Sequence, residues 1–458
     1  MSNNADVIIL GGGSGGYTCA FSAAQLGLSV ILIEQDKIGG TCLHRGCIPT
    51  KALLHSAEVA DVIAEADRFG INGTLSGVDI DGVHAYKDSV VSKLYKGLSG
   101  LVTHHNVRVI QGHGRYLGDR TIAVEGQTFT GDAVVLATGS TPAVPAIFPI
   151  GERIVTSDGA LVLDRIPQSA VILGGGVIGV EFASVWSSFG TDVTIVEALP
   201  RLVSAEDEWS SNQLERAFRR RKIKVRTGTR VERLVPDEAR VSVHLDSGEI
   251  LEPDTVLVAV GRKPQTKDCG FEEAGIELQD GFVVTNSRLE TSHPNVFAVG
   301  DIVRGLQLAH RGFQQGIFVA NQIAGNGRTL PAESTIPRVT YSNPEIASVG
   351  LTEESARAKY GEVTTAVYDL AGNGKSQILR SAGGVKLIRA GGKDAVGPIV
   401  GVHIVGSRVS ELVGEAQLAV GWEAYPQEIA EMVHAHPTLS EAFGEAAMAL
   451  SGAPLHSH

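Results

Sequence analysis

The chain has 458 residues, of which 43% are apolar and 20% charged, and carries a formal net charge of −12. A mean hydropathy of +0.09 and a pI near 5.6 describe a folded acidic protein. They exclude a disordered or fibrous chain and argue against a nucleic-acid binder. No apolar run reaches the length of a membrane helix. The opening MSNNADVIILGGG has no basic segment ahead of its apolar run, so it reads as a first strand rather than a signal peptide. Length predicts about three domains.

The first element is half of a repeat. Residues 7–34 read VIILGGGSGGYTCAFSAAQLGLSVILIE, and residues 170–197 read AVILGGGVIGVEFASVWSSFGTDVTIVE. They align without a gap, so Gly11, Gly13, Gly16 and Glu34 fall on Gly174, Gly176, Gly179 and Glu197. Each unit is an apolar strand, a GxGxxG turn, a helix and a second strand ending in an acid. The first glycine makes a tight turn, the second admits a pyrophosphate, and the third lets helix and strand pack closely. The helix N-terminus then faces phosphate and the acid faces a ribose diol. Two complete units predict two dinucleotide sites. Glu197 repels a 2′-phosphate and suits a free 2′-hydroxyl, which favours NAD over NADP. The single Arg201 after Leu199-Pro200 makes no convincing phosphate clamp.

After the first unit comes GGTCLHRGCIPTK, with Cys42 and Cys47 five residues apart. A staple over so short a loop adds roughly 2 kcal/mol, which a chain of this size does not need. A zinc site needs further ligands, yet Cys19 and Cys269 are isolated. The segment from Lys51 reads as a helix beginning near Cys47, and a thiol there has its thiolate favoured by the helix dipole. Against two unrelated buried thiols, the surroundings favour a redox pair. So few clustered cysteines suit a reducing compartment, and the expected location is cytoplasmic.

Further along, residues 132–140 (DAVVLATGS) read as a buried strand running into a turn at Thr138-Gly139, and residues 255–262 repeat that design through Gly261. Residues 295–301 end a strand at Gly300-Asp301; a helix N-cap is the alternative reading of Asp301. From Arg338 strands and helices alternate without a glycine loop. Near the end stands HAHPTLSE, residues 434–441. A dithiol enzyme needs a base to turn an incoming thiol into a thiolate, and histidine titrates in the right range.

GGTCLHRGCIPTKALL, the two glycine units, the Gly-Asp strand and HPTLSE together resemble the flavin-dependent disulfide reductases, most of all the dihydrolipoamide dehydrogenases. The resemblance spans essentially the whole chain. It implies an α/β fold with two Rossmann-like dinucleotide-binding domains, for FAD and NAD, and an α+β C-terminal dimerisation domain. The expected boundaries are 1–148 with 270–337 for FAD, 149–269 for NAD and 338–458 for dimerisation. One tightly bound FAD per chain would lie against Gly11, Gly13, Gly16, Glu34, Lys51, Thr138, Gly139 and Asp301. NAD would lie against Gly174, Gly176, Gly179, Glu197 and Gly261. By the same resemblance Cys42 is the interchange sulfur, Cys47 faces the flavin, and Lys51 pairs with Glu181; solvated charges on two helices are the alternative for that pair. His436 is the base and Glu441 orients it, across the interface of a homodimer from the partner's cysteines, while His434 is structural. The implied reaction oxidises dihydrolipoamide with NAD+. There is no room for a fused lipoyl domain. The lipoyl group would come from the lipoylated acyltransferase of a 2-oxoacid dehydrogenase complex, or from a glycine-cleavage lipoyl protein. The chain departs from the commonest family pattern at residues 308–316, where it carries glutamines in place of the acids of many relatives.

Overall fold

A computed structural model describes residues 2–393 and 395–456, so the end of the expected third domain lies outside the described residues. The first glycine unit builds one sheet. Strands Arg108–Gln111, Val30–Glu34, Asn4–Leu10 and Gln127–Leu136 lie in that order, all parallel. The near-continuous run Val7, Ile8, Ile9 and Leu10 is buried throughout, as a parallel sheet covered on both faces requires. Val296–Ala298, far along the chain, joins the same sheet in parallel beside Gln127–Leu136. The strand expected from residue 132 begins five residues earlier, at Gln127. Its polar start pairs antiparallel with Thr121–Val124, which pairs in turn with Gly114–Gly118.

The second unit builds a separate five-stranded parallel sheet in the order Lys224–Arg226, Asp192–Val196, Ser169–Leu173, Thr255–Val258, Ile154–Thr156. Two short strands, Ser140–Pro142 and Arg262–Pro264, pair antiparallel and tie the two halves together. The last sheet is antiparallel: Arg338–Thr340, Glu345–Gly350, Ile399–Gly406, Gly384–Ala390 and Val363–Asp369. Helices Val413–Gly421 and Glu441–Leu450 bury Ala416, Phe443 and Ala446 in its core.

The packing that matters for chemistry is between halves. Helix Cys47–Ala64 lies against helix Val177–Ser188 of the second unit, and its Leu53 shares a core with Val180, Phe182 and Ala183. Ile346 and Val405 of the last sheet belong to that same core. The second and last sheets thus meet around the dithiol helix. Among the described residues no helix is long and apolar enough to cross a membrane.

Candidate active site

The two glycine turns have nearly the same backbone. Gly11 sits at φ +104° and Gly174 at φ +105°, a region that side chains rarely adopt. A Cβ on Gly16 would lie 1.8 Å from the Gly11 carbonyl oxygen, and one on Gly179 would lie 2.0 Å from that of Gly174. Helices Ser14–Gln25 and Val177–Ser188 follow Gly13 and Gly176, neither start being capped by a side chain. Their first amides therefore remain available to phosphate. Each terminal acid is clamped by its own loop. Glu34 accepts from Gly12 N at 2.6 Å and Asp36 N at 2.7 Å. Glu197 accepts from Gly175 N at 2.6 Å and Leu199 N at 2.7 Å. These two cradles, each with an open helix end and an oriented carboxylate, fit two dinucleotides. Arg201 is occupied elsewhere: its guanidinium donates to the carbonyls of Glu206 and Ser204 and to Ser211 Oγ.

Both turns open on one cavity of about 1250 Å³, whose lining includes Cys42, Cys47, Lys51, Glu181 and Asp301. Cys42 lies on the short helix Gly40–Arg45, and Cys47 opens helix Cys47–Ala64 after Gly46. Both are free thiols. A hydrogen bond from the Cys42 thiol, reinforced by the Lys51 ammonium, lowers Cys47 to a pKa of about 7, against burial and the Glu181 charge. That same hydrogen bond, with burial, pushes the Cys42 thiol far up. The arrangement thus favours the thiolate at Cys47 and the proton on Cys42.

Lys51 Nζ donates to both oxygens of Glu181, at 2.9 and 2.8 Å. Glu181 is only 2% exposed, which removes the reading of two solvated charges. Burial opposes the Lys51 charge, but Glu181 outweighs it and raises the lysine's pKa. Asp301 sits in a short turn, Gly300–Ile302, and accepts from Ser140 Oγ at 2.5 Å rather than capping a helix. Ser140 in turn accepts from Arg262 Nε at 2.7 Å. Ser140 and Arg262 end the two strand-and-turn segments, but only the pairing of two distant short strands brings them together. Gly139 and Gly261 both take positive φ where their strands end, at +77° and +124°. The Thr138 hydroxyl is taken by the Gln265 carbonyl at 2.6 Å. Within the glutamine-bearing segment, Gln315 is buried and its side-chain oxygen accepts from Gly300 N at 2.7 Å, so it supports the Gly-Asp turn.

The remaining expected pair lies apart. His436 Nδ1 meets Glu441 Oε1 at 2.7 Å, and Glu441 Oε2 accepts from Thr438 N at 2.7 Å. Despite a burial cost, the Thr438 amide and the imidazole hold the Glu441 carboxyl below its usual range. The ring's other nitrogen is open, the His436 side chain being 78% exposed. His434 bonds Glu415 at 2.8 Å. Neither His436 nor Glu441 lines the dithiol cavity of its own chain.

Comparisons with known proteins agree with this layout. The pyridine nucleotide-disulphide oxidoreductase family matches residues 5–316, and that family's dimerisation domain matches residues 336–447. A dihydrolipoyl dehydrogenase of Bacillus subtilis is 38% identical, covering 100% of both chains. One from Thermus scotoductus is 37% identical, covering 98% of each. Among solved structures, LpdA from Mycobacterium tuberculosis superposes with a TM-score of 0.90 at 26% identity, over 97% of this chain and 99% of that one. The HOCl-induced flavoprotein disulfide reductase RclA from Escherichia coli gives a TM-score of 0.87 at 27% identity, over 96% and 99%. The chain belongs to the pyridine nucleotide-disulphide oxidoreductase family, within its dihydrolipoyl dehydrogenase group.

Proposed function

We propose that this protein oxidises protein-bound dihydrolipoamide to lipoamide and reduces NAD+, with Cys42 and Cys47 as its redox disulfide. The observation that carries the reading is the Cys42 and Cys47 thiols beside the Lys51–Glu181 ion pair, in a cavity shared by two glycine cradles. In the cycle, His436 of one protomer takes the proton of an incoming thiol, and Glu441 stabilises the imidazolium. The thiolate attacks Cys42 Sγ, the Cys42–Cys47 bond breaks, and Cys47 leaves as a thiolate. The second substrate thiol then attacks the mixed disulfide, forming lipoamide and returning Cys42 with a proton. Two electrons now reside on the dithiol, the free-thiol state of the structure. A flavin bound at Gly11, Gly13, Gly16, Glu34, Thr138, Gly139 and Asp301 would supply electron transfer between that dithiol and the nicotinamide. Gly174, Gly176, Gly179, Glu197 and Gly261 would hold NAD, with Lys51 and Glu181 between the two sites.

The protein acts as a homodimer in this reading. Leu418, Trp422, Met432 and Val433 are exposed large apolar side chains on the matched dimerisation region, with Trp422 77% and Val433 98% accessible. A second copy covering them would bring the partner's open imidazole to the dithiol. The division at 148, 269 and 337, the cytoplasmic location and a lipoylated acyltransferase partner belong to the same proposal.

The test is turnover by the purified yellow protein with free dihydrolipoamide, NAD+ or NADP+, and a Cys42→Ser variant. Turnover with NAD+ only, lost in the variant, supports the reading. Reduction of glutathione disulfide by NADPH, without dihydrolipoamide oxidation, would overturn it.

A further inference from the structure

The loop that joins Arg338–Thr340 to Glu345–Gly350 belongs to the last sheet, yet it reaches into the dithiol cavity. There the backbone N–H of Tyr341 donates to Glu181 Oε1 at 2.9 Å. On the other side of the ion pair, Lys51 Nζ lies 4.7 Å from the centre of the Tyr341 ring. One residue thus touches both members of the pair, the anion through its amide and the cation through its π face.

The loop is anchored along the same two helices. Asn343 N donates to Ser184 Oγ at 3.1 Å, and Asn343 Nδ2 donates to Asp61 Oδ2 at 3.2 Å. Ser188 Oγ also donates to Asp61, at 2.9 Å, and Arg221 pairs with it at 3.3 Å. Glu181, Ser184 and Ser188 follow one another at spacings of three and four, so they form one stripe of helix Val177–Ser188. The loop and helix Cys47–Ala64 both bond to this stripe. Asn343, two residues on, thus anchors the loop whose Tyr341 ring stands over Lys51.

We propose that Tyr341 is a positioning residue for the Lys51–Glu181 pair, through which the C-terminal domain fixes a cation beside the dithiol. Its amide stops the Glu181 carboxylate from swinging, and its ring closes the far side of the ammonium, leaving Cys47 as the anion Lys51 faces next. The titratable and charged groups around these two side chains are Glu181, Cys42, Cys47, Tyr341 and Arg262. The inference rests on the proposed roles of Lys51 and Glu181, but its test requires no lipoamide turnover.

The test is the pH titration of thiolate ultraviolet absorbance in the flavin-bound protein, reduced with a thiol-free phosphine. Burial pushes Cys19 up to about 12 and Cys269 up to about 11, and Cys42 is raised by its bond to Cys47, so Cys47 alone ionises near neutrality. Cys47→Ser identifies the signal by removing it. Tyr341→Ala frees Lys51 and should move the Cys47 midpoint upward by about half a unit or more. Tyr341→Leu keeps the volume without the π face and should move it likewise, which covers the case in which the alanine variant fails to fold. Tyr341→Phe should titrate with the wild type. Leucine and alanine variants that titrate with the wild type, or a phenylalanine variant that shifts as they do, would overturn the proposal.

Discussion

The two glycine units begin alike and diverge where the chemistry does. In both, the chain returns after the terminal acid to bond the middle glycine's carbonyl: Gly39 N to Gly12 O and Val203 N to Gly175 O, each at 2.8 Å. In the first unit the returning residues are Gly39 and Gly40, and a Cβ on Gly40 would stand 2.7 Å from Gly13 Cα. That backbone-on-backbone approach admits helix Gly40–Arg45 and with it Cys42. In the second unit the returning residues are Leu202 and Val203, both buried, and Leu202 packs on Gly175. No reactive segment enters there. Among the aligned positions at which the helices differ, one bears on the chemistry. Thr18 spends its hydroxyl on the Ser14 carbonyl one turn back, at 2.7 Å. Its counterpart Glu181 reaches out of its unit to Lys51 and Tyr341. The cradle is thus a local device repeated twice, whereas the chemistry enters through positions where the copies differ.

Gly16→Ala should give the largest effect, because the new Cβ would meet the Gly11 carbonyl oxygen at 1.8 Å, far inside contact distance. The purified variant should be colourless and inactive; a yellow, active protein would break the claim that the first cradle holds the flavin. Gly179→Ala makes the same collision in the second unit, at 2.0 Å. This variant should stay yellow and keep its dithiol, with kcat/KM for NAD+ down by about two orders of magnitude or more.

Glu181→Thr makes the second helix resemble the first. Losing one partner of a buried pair typically costs about 3–5 kcal/mol; Lys51 retains some solvent contact, so a smaller fall in Tm is expected. The same change should move Cys47 the opposite way from Tyr341→Ala. Glu181 opposes the Cys47 thiolate, so its removal lowers the thiol's pKa below about 7 and the thiolate persists to more acid pH. An upward shift on thiol titration would show that Lys51 had left the dithiol altogether. The smallest effect belongs to Glu197→Ala, which should raise the KM for NAD+ by roughly tenfold without conferring use of NADP+. Arg201 stays bound to the Glu206 and Ser204 carbonyls, which hold its guanidinium to its own loop.

Most of what was legible in the sequence was local; the Lys51–Glu181 pair, 130 residues apart, followed from the family resemblance instead. The tight turns at Gly11 and Gly174 and the close packing at Gly16 and Gly179 are set within about thirty residues, so spacing alone exposes them; the return of each carboxylate to its own loop was not read. Cys47 at a helix start and the His436–Glu441 pair are equally short-range. The Ser140–Arg262 bond and the Tyr341 contacts join residues from different sheets, and no periodicity carries that information. Helix Ile80–His104 was not read either, although Val83, Val90, Leu94, Leu98 and Leu101 recur at helical spacing; the fold buries only Lys87 and Val102 of it.

The most direct measurement is nucleotide stoichiometry after exhaustive gel filtration, on the wild type and the Gly179→Ala variant, followed by equilibrium dialysis against labelled NAD+. The account predicts one retained FAD per chain in both proteins, and one exchangeable NAD+ per chain in the wild type only. Loss of flavin from Gly179→Ala, or undiminished NAD+ binding to it, would contradict the assignment of one retained and one exchanged nucleotide to the two cradles.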